Sequence, residues 1–280
     1  MSATLTNLHN LPAAIVAAVK ADPYVGGGDI SCTKLIDSPR ISVLTSQHKD
    51  AITTDVSERV WSLLGQAVHT ILERAGVRQD GMVVEERMYA SVGGWQVSGQ
   101  LDTMHLETRK LSDYKVTTVF KKNGSDSWTR QLNVLRWLAH KNGYRIDTLE
   151  VIGIFRDWRK SEALRDPSYP QAAIQSISVP VWTLEEAEDY ITDRVALHRA
   201  ARSGIDIKCT DEERWMSPSK FALMKDGGKR AVRVADHAED LGEAGEGYSI
   251  VERKGEPKRC TMYCDVSAFC SQWAEEKEKG

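Results

Sequence analysis

The sequence predicts an α/β fold, because segments with the periodicity of strands alternate along the chain with segments that have the periodicity of helices. Residues 97–102 alternate as a strand does, and residues 149–155 form a short apolar run that is typical of a buried strand. Residues 57–74 and 128–141 instead repeat apolar side chains at helical spacing. We therefore expect a β-sheet covered by amphipathic helices.

The composition limits the domain organisation and the class of protein. With 280 residues, of which 41% are hydrophobic, the chain can bury a substantial core. We expect residues 1–204 to form that core, beginning with an N-terminal helical segment, and residues 205–280 to form a C-terminal region packed on it. No apolar run approaches the length of a membrane span, and no signal peptide is recognisable. The sequence therefore predicts a cytoplasmic protein that has no membrane partner.

Residues 99–115 carry the most informative pattern in the chain. They predict a β-hairpin whose first strand ends at Asp102 and whose second strand contains Asp113 and Lys115. Side chains two residues apart share one face of a strand, so Asp113 and Lys115 point the same way, and pairing of the strands would bring Asp102 beside Asp113. Two clustered carboxylates repel each other unless a cation lies between them, and their oxygens suit Mg²⁺ or Mn²⁺. A lysine next to such a metal can position a water molecule or stabilise negative charge that develops on a substrate.

Two further polar residues lie on the helices that flank this hairpin. His69 follows Gly65 in the helix predicted over residues 57–74, beside its apolar stripe, and Gln131 begins the helix over residues 128–141. Each has an ordinary structural explanation by itself, as a boundary histidine and a surface amide. The Asp-x-Lys tripeptide also occurs by chance as a weak surface ion pair. The interpretation therefore depends on the order in which these elements occur.

Taken together, these elements resemble the RecB-like and CRISPR-adaptation-type branch of the PD-(D/E)XK nuclease superfamily. The matching positions, in chain order, are Gly65 with His69, Gly99 with Asp102, Asp113 with Lys115, and Gln131. Residues 30–40 are similar to the first conserved segment of these nucleases. One position departs from the pattern, since Leu135 stands where the family commonly has a tyrosine. The resemblance implies a restriction-endonuclease-like core, with a central mixed β-sheet flanked by helices.

The resemblance also implies a role for each matching residue. Asp102, Asp113, the imidazole of His69 and the backbone carbonyl of Tyr114 would bind Mg²⁺ or Mn²⁺. Lys115 would activate or position the attacking water, and Gln131 would orient the lysine, the water or the DNA backbone. The preceding segment, residues 82–90, is predicted to be one strand, in which either Glu85 or Glu86 could add a further carboxylate to the site.

The five cysteines do not suggest disulfides in a chain without a signal peptide. Cys260, Cys264 and Cys270 are spaced as ligands of a shared metal rather than with the period of a helix or strand. A fourth ligand is needed, and Cys209, in a loop-like segment, is favoured over Cys32. In the nucleases that the chain resembles, such cysteines bind a [4Fe–4S] cluster. Zn²⁺ is the alternative, because four thiolates satisfy it equally well.

The formal net charge of −3 argues against a general polyanion-binding protein, but the charge is unevenly placed. Residues 101–160 hold twelve Lys or Arg against seven Asp or Glu, a balance of +5, so the rest of the chain carries −3 − 5 = −8. A basic surface near the predicted site would contact nucleic-acid phosphates. The residues expected to make these contacts are Lys121, Lys122, Arg130 and Arg136.

These observations predict a metal-dependent deoxyribonuclease, and the resemblance makes it an exonuclease that acts on single-stranded DNA or exposed DNA ends. The expected setting is recombination, repair or phage replication, with a helicase or recombination protein as a partner. One alternative is a structure-selective or site-specific endonuclease. Another is a non-catalytic module that binds DNA ends and is stabilised by its metal cluster. The intact set of Asp102, Asp113 and Lys115 argues against this last alternative.

Overall fold

The computed structural model describes residues 4–21, 26–77 and 80–279. These residues divide between two compact units. The first unit comprises Met1–Pro39 and Thr53–Ile205, and the second comprises Arg40–Ile52 and Asp206–Gly280. The sequence-based division instead placed its boundary after residue 204 and left residues 40–52 with the core.

Helices and strands alternate through most of the chain. In chain order, the helices are α1 (Ala13–Lys20), α2 (Cys32–Leu35), α3 (Pro39–Gln47), α4 (Val60–Gly76), α5 (Asp126–Lys141), α6 (Lys160–Arg165), α7 (Leu184–Arg202), α8 (Lys258–Met262) and α9 (Ser271–Lys279). The strands are β1 (Thr4–Thr6), β2 (Ile30–Ser31), β3 (Thr53–Asp55), β4 (Met82–Val84), β5 (Arg87–Val92), β6 (Trp95–Gln100), β7 (Thr103–His105), β8 (Lys110–Thr117), β9 (Thr148–Phe155), β10 (Ile174–Val179), β11 (Lys220–Lys225), β12 (Ala231–Ala235) and β13 (Tyr248–Arg253). Within the described ranges, none of the helices combines the length and the apolar character needed to cross a lipid bilayer.

The first unit is built on a mixed sheet with helices packed against it, which confirms the predicted fold class. Its five strands lie in the order β10-β9-β8-β7-β4, with β8 and β9 parallel and the other neighbours antiparallel. A smaller sheet has the order β2-β6-β5. The apolar run predicted over residues 149–155 forms most of β9, an interior strand of the larger sheet. In the second unit, β12, β11 and β13 form an antiparallel sheet.

Helix α5 supplies much of the core of the first unit. Its predicted stripe of Leu132, Leu135 and Leu138 is buried, as are Trp128 and Trp137. The apolar side chains extend around more of the helix than one stripe, because α5 packs against β5, β6 and α7. This burial holds β6 and β8, the strands next to the predicted site, against one rigid element.

Helix α4 is less buried than α5. None of its residues is fully buried, Leu63, Val68 and Leu72 are half-buried, and Trp61 and Ile71 are 59% and 64% exposed. The helix also begins at Val60, after a 3₁₀ turn over Val56–Arg59. Helical periodicity shows which side chains share a face, but it does not show whether another element covers that face.

The predicted hairpin and the strand before it are also divided differently. Residues 82–90 form two strands that belong to different sheets, and the chain turns between them at Glu85, which has a φ of +50°. Similarly, β6 ends before Asp102, and the hairpin itself consists of β7 and β8. The two turning points are hydrogen-bonded to each other, from Glu85 N to Asp102 O and from Leu101 N to Glu86 O. Both carboxylates therefore lie where the chain passes from one sheet to the other.

The two glycines of the recognised pattern have different surroundings. A Cβ added at Gly99 would lie 2.5 Å from Leu135 Cδ2 and 2.7 Å from Leu138 Cδ1, and both leucines are buried. Gly99 therefore allows α5 to approach β6 closely. Gly65 lies inside α4, and a Cβ added there would meet nothing within 4 Å.

We predict opposite effects of alanine at these two positions. Gly99→Ala should lower the free energy of unfolding by about 1–3 kcal/mol, because the added methyl group overpacks a buried contact. Gly65→Ala should raise it by about 0.5–1 kcal/mol, because alanine is favoured over glycine inside a helix. Denaturant unfolding of the two variants and the wild-type protein measures both changes. A Gly99→Ala variant as stable as the wild type would contradict the proposed contact.

Candidate active site and cysteine cluster

Three acidic or imidazole side chains from separate parts of the first unit meet at one point. His69 Nδ1, on α4, lies 3.4 Å from Asp102 Oδ1 and 3.8 Å from Glu85 Oε1. The ligand atoms of the three residues all lie within 4.8 Å of one another. On the other side of the imidazole ring, Nε2 lies 3.0 Å from the carbonyl oxygen of Tyr114. The structure thus brings His69 and Asp102 together, whereas the Tyr114 carbonyl, which the resemblance implied as a further ligand, contacts the opposite nitrogen of the ring.

The backbone of β8 holds Asp102 in place. Asp102 Oδ2 accepts a hydrogen bond from Tyr114 N at 2.7 Å. The paired residues Thr103 and Ser112 are the next ones along the hairpin, so Asp102 lies at the position across from Asp113. The structure therefore places the two aspartates on neighbouring segments, although Asp102 lies just outside the strand in which it was predicted.

Buried Asp113 and half-buried Lys115 form an ion pair on β8. Lys115 Nζ lies 2.7 Å from Asp113 Oδ2, and the Asp113 side chain is only 2% exposed. Gln131 Nε2, from α5, donates a hydrogen bond to Asp113 Oδ1 at 3.2 Å. Gln131 thus contacts the carboxylate directly, so that each oxygen of Asp113 has a partner that sets the orientation of the side chain.

The pKa values of this pair shift in the same direction for different reasons. Burial raises the pKa of the Asp113 carboxyl, and nearby Lys115 only partly opposes that effect. Burial alone would lower the pKa of the Lys115 ammonium, but the charge and hydrogen bond of Asp113 outweigh it, and the pKa is raised. Lys115 therefore stays protonated at neutral pH and acts as a hydrogen-bond donor.

His69 is held in its charged form by its acidic neighbours. The hydrogen bond with Asp102, and then that with Glu85, raises the pKa of the imidazole to about 10, although burial opposes the shift. In the absence of a metal, the imidazolium thus compensates the charge of the two carboxylates. A divalent cation at this point would compete with that proton, because a metal binds the neutral imidazole.

The structure distinguishes between the two glutamates that the sequence left open. Glu85 faces the site, whereas both Glu86 oxygens accept hydrogen bonds from Tyr144 Oη at 3.0–3.1 Å. The left-handed φ of Glu85 turns its side chain toward His69 and is an uncommon conformation for a residue other than glycine. Strand alternation alone could not identify it, because the strand breaks at this residue.

The donor set suits a hard or borderline divalent cation. Carboxylate oxygens, a backbone carbonyl and an imidazole are the ligands that Mn²⁺ accepts, and Mg²⁺ accepts the oxygens. Adjacent ligands of an octahedral Mg²⁺ at about 2.1 Å are about 3 Å apart, and opposite ligands are about 4.2 Å apart. The observed distances of 3.4 Å and 3.8 Å lie between these values. His69 Nδ1 and the carboxylates of Glu85 and Asp102 therefore fit such an ion, whereas the Tyr114 carbonyl lies on the Nε2 side of the imidazole and both Asp113 oxygens have partners in Lys115 and Gln131.

The basic residues predicted to bind nucleic acid have different environments. Arg136 donates to the carbonyl oxygens of Ile146 and Trp182 at 2.9 Å and 3.0 Å, which ties its side chain to the fold. Lys122 Nζ binds the Ser168 carbonyl. Lys121 is half-buried and follows β8 in a 3₁₀ turn over Val119–Lys121, whereas Arg130 lies on α5 next to Gln131. Arg136 is the residue least available to a phosphate.

The cysteines predicted as a cluster line one cavity within the second unit. The four are Cys209 in the loop before β11, Cys260 in α8, Cys264 in the turn after it, and Cys270 just before α9. All four are free thiols. Cys32, the alternative to Cys209, lies in α2 of the first unit, where its thiol contacts the Gln131 carbonyl at 3.6 Å. Burial raises the pKa of the Cys32 thiol to about 12, so this cysteine is an inert thiol of the core.

Arginine side chains surround the cysteine cavity. The Nε atom of buried Arg40 donates to Cys270 Sγ at 3.2 Å, and Arg214 and Arg259 also line the cavity. These cations suit thiolates, which carry the negative charge of any Cys₄ site. Burial raises the pKa values of Cys260 and Cys264, so both are neutral thiols until a metal deprotonates them.

The cysteine sulfurs that line the cavity are not tightly grouped. Among the residues that the structure describes, no three cysteine sulfurs lie within 4.8 Å of one another. In a tetrahedral zinc site with Zn–S bonds of about 2.3 Å, the sulfurs are about 3.8 Å apart. An iron–sulfur cluster separates its cysteine ligands further, because several irons and sulfides lie between them. Among the described residues, the cysteine sulfurs therefore do not form a closed tetrahedral set.

Comparisons with known proteins find no close relative. No protein-family model matches the chain, and no curated protein matches its sequence. A solved structure named SSO0001 is similar over 65% of this chain and 84% of its own, with 17% sequence identity and a TM-score of 0.46. A protein from Eubacterium rectale that bears the name "Putative exonuclease" is similar over 66% of this chain and 67% of its own, with 14% identity and a TM-score of 0.34. Both similarities are too distant to assign a family or a function.

We predict a pH dependence of stability that His69 causes in the metal-free protein. Its pKa is 6.5 in the unfolded chain and about 10 in the folded protein, so the folded state holds an extra proton between these values. Its contribution to the free energy of unfolding should therefore be complete below pH 6.5 and fall as the pH rises toward 10, by at most about 1.4 kcal/mol per pH unit. Denaturant unfolding across this range should give a flatter profile for His69→Gln, whereas His140→Gln, an exposed histidine on α5, should follow the wild type. Parallel profiles for His69→Gln and the wild type would contradict the ion pairing.

Proposed function

We propose that the first unit is a Mg²⁺- or Mn²⁺-dependent nuclease that hydrolyses DNA phosphodiester bonds. The observation that carries the proposal is the meeting of His69, Glu85 and Asp102 beside the Asp113–Lys115 ion pair. Carboxylates crowded in this way favour a divalent cation. A structural ion pair would not need the three further ligand groups.

Each residue would have a separate task in the reaction. A bound Mg²⁺ or Mn²⁺ supplies a water of lowered pKa and neutralises charge on the scissile phosphate. His69, Glu85 and Asp102 would hold the ion, and Asp113 and the Tyr114 carbonyl, which the resemblance adds as ligands, would each exchange a present hydrogen-bond or ion-pair partner for it. Gln131 would keep Asp113 oriented through its hydrogen bond.

Lys115 would position the attacking water and stabilise the phosphate rather than remove a proton. Its pKa is raised, so the ammonium keeps its proton at neutral pH and cannot serve as a general base. A protonated amine next to the phosphate stabilises the negative charge that develops in the transition state. The Asp113 carboxylate fixes the direction of this amine.

The substrate proposed from the resemblance is single-stranded DNA or an exposed DNA end, which would make the enzyme an exonuclease of recombination, repair or phage replication. A helicase or recombination protein would then supply the ends. Lys121 and Arg130, near the end of β8 and the start of α5, would contact phosphates.

We further propose that the four cysteines of the second unit hold a [4Fe–4S] cluster. Their common cavity and the arginines around it support a bound metal group, and the resemblance favours an iron–sulfur cluster over zinc. The cluster would stabilise the second unit, because metal ligation contributes directly to folding.

We predict that two substitutions in the ion pair abolish or greatly reduce cleavage. Asp113→Asn removes a metal ligand without changing the size of the side chain, and Mg²⁺-dependent DNA cleavage should become undetectable. Lys115→Met removes only the ammonium, and kcat should fall by about 10²–10³-fold. Cleavage of end-labelled linear DNA measures both effects, and circular dichroism checks the fold.

Lys110→Met is the matched control for these variants. Lys110 lies on the same strand and forms an ion pair with Glu150 at 2.9 Å, at the other end of β8. Its loss should leave cleavage close to the wild-type rate. Equal activity of all four proteins would overturn the nuclease assignment.

An exonuclease and an endonuclease differ in their need for an end. We expect linear single-stranded DNA to be degraded and a covalently closed single-stranded circle of the same sequence to stay intact. Gel electrophoresis of both substrates measures this, with Asp113→Asn as the control for contaminating nucleases. Rapid cutting of the circle would show an endonuclease instead.

Serine substitutions separate the two proposals for the fourth cysteine. Protein purified without oxygen should be brown and contain iron and sulfide, and Cys209→Ser or Cys264→Ser should lose most of both. Cys32→Ser should retain the cluster, because Cys32 does not line the cavity. Colourless protein with stoichiometric zinc would refute the cluster, and loss of iron in Cys32→Ser alone would refute the role of Cys209.

A further inference from the structure

Two large aromatic side chains are exposed on the first unit near the end of β8. Trp61 is 59% exposed and lies on α4 about two helical turns before His69. Phe120 is 89% exposed and lies in the 3₁₀ turn that follows β8, a few residues after Lys115. Neither position contributes much to the core, so burial does not explain the choice of an aromatic residue.

An arginine covers one face of the tryptophan. Arg156 Cζ lies 3.9 Å from the centroid of the Trp61 ring, and both side chains are exposed. Such a stacked guanidinium holds the indole in one orientation. Because Trp61 is 59% exposed, part of its surface outside this contact is open to solvent.

The strand register places this pair close to the candidate site. Lys115 pairs with Gly153 on β9, and Arg156 N donates to Thr117 O where the two strands end. The backbone of Arg156 is therefore about 10 Å along the strand direction from that of Lys115. At about 3.4 Å per stacked nucleotide, this distance corresponds to about three nucleotides.

The charge of this surface suits a nucleic-acid strand. Lys121 directly follows Phe120, and within the described part of the chain neither Lys121 nor Arg156 forms an ion pair with a carboxylate. Cations beside exposed aromatic rings combine phosphate contact with base stacking, which is the chemistry by which proteins bind unpaired nucleotides. A duplex would not use the rings, because its bases already stack on one another.

We propose that Trp61, Arg156 and Phe120 form a stacking platform that binds unpaired bases of a DNA strand next to the cleavage site. The platform rests on the proposed nuclease function and specifies its substrate as a strand that is unpaired at this point. Stacking does not depend on base identity, so the platform selects single strands without selecting a sequence.

Binding in the Asp113→Asn background tests the platform without cleavage. Fluorescence anisotropy would give the Kd for a labelled oligothymidylate and for a blunt duplex. Adding Trp61→Ala or Phe120→Ala should raise the Kd for the single strand by about tenfold each and change that for the duplex by less than about twofold. Trp61→Phe should recover most of the affinity and Trp61→Leu should not, because only phenylalanine restores a ring.

A matched control is Leu164→Ala, which removes another exposed apolar side chain of the same unit, 80% exposed on α6, and should leave both Kd values unchanged. Equal affinity losses for single strand and duplex, or rescue by Trp61→Leu, would overturn the platform.

Cleavage kinetics of the active protein, measured in parallel, distinguish a failure of the platform from a failure of the proposed nuclease function. Trp61→Ala in the active protein should raise KM for single strands more than it lowers kcat. If the protein cleaves DNA and Trp61→Ala does not change KM, the platform is refuted and the nuclease assignment stands. Selective loss of binding in a protein that cleaves no DNA would support the platform and refute the nuclease.

Discussion

The ion pair between Asp113 and Lys115 is the interaction on which the candidate site depends. A carboxylate that is 2% exposed costs several kcal/mol to bury alone, whereas the Lys115 side chain is 26% exposed and keeps part of its contact with water. Lys115 compensates the carboxylate at 2.7 Å, and Gln131 satisfies the remaining oxygen. Because Asp113 is buried on an interior strand, the loss of Lys115 would leave its charge without a cation. The pair therefore places two oriented charged groups on an interior strand whose other neighbours are mostly apolar.

The other residues of the site lie around this ion pair, where the chain passes from one sheet to the other. Asp102 and Glu85 are not within regular strands but at hydrogen-bonded turning points between the two sheets, and His69 reaches them from α4. Without a metal, a protonated His69 offsets part of the charge of Asp102 and Glu85, and its hydrogen bonds with these carboxylates raise the pKa of the imidazole. The site thus holds more acidic groups than fixed cations can neutralise, and a divalent ion would take the place of the proton.

The side chains of α4 are more exposed than those of the core helix α5. The helix keeps one side toward β8 through His69 and leaves Trp61 toward solvent. A helix of this kind contributes less to stability than α5, whose apolar side chains are buried. Its value lies in the groups it presents beside the site. In the second unit, by contrast, few of the described residues are fully buried, and the cysteines and arginines line one cavity.

The sequence by itself determined the α/β class, the buried stripe of α5, the common face of Asp113 and Lys115, and the grouping of Cys260, Cys264 and Cys270. These follow from periodicity and spacing, which are local properties of the chain. Only the tertiary structure decided that Glu85 rather than Glu86 faces His69, that α4 has no fully buried residue, and that Arg136 is tied to backbone carbonyls. Each of these depends on which element packs against another, or on a left-handed residue that breaks a strand. Periodicity identifies the face of an element, but the partner that covers it comes from elsewhere in the chain.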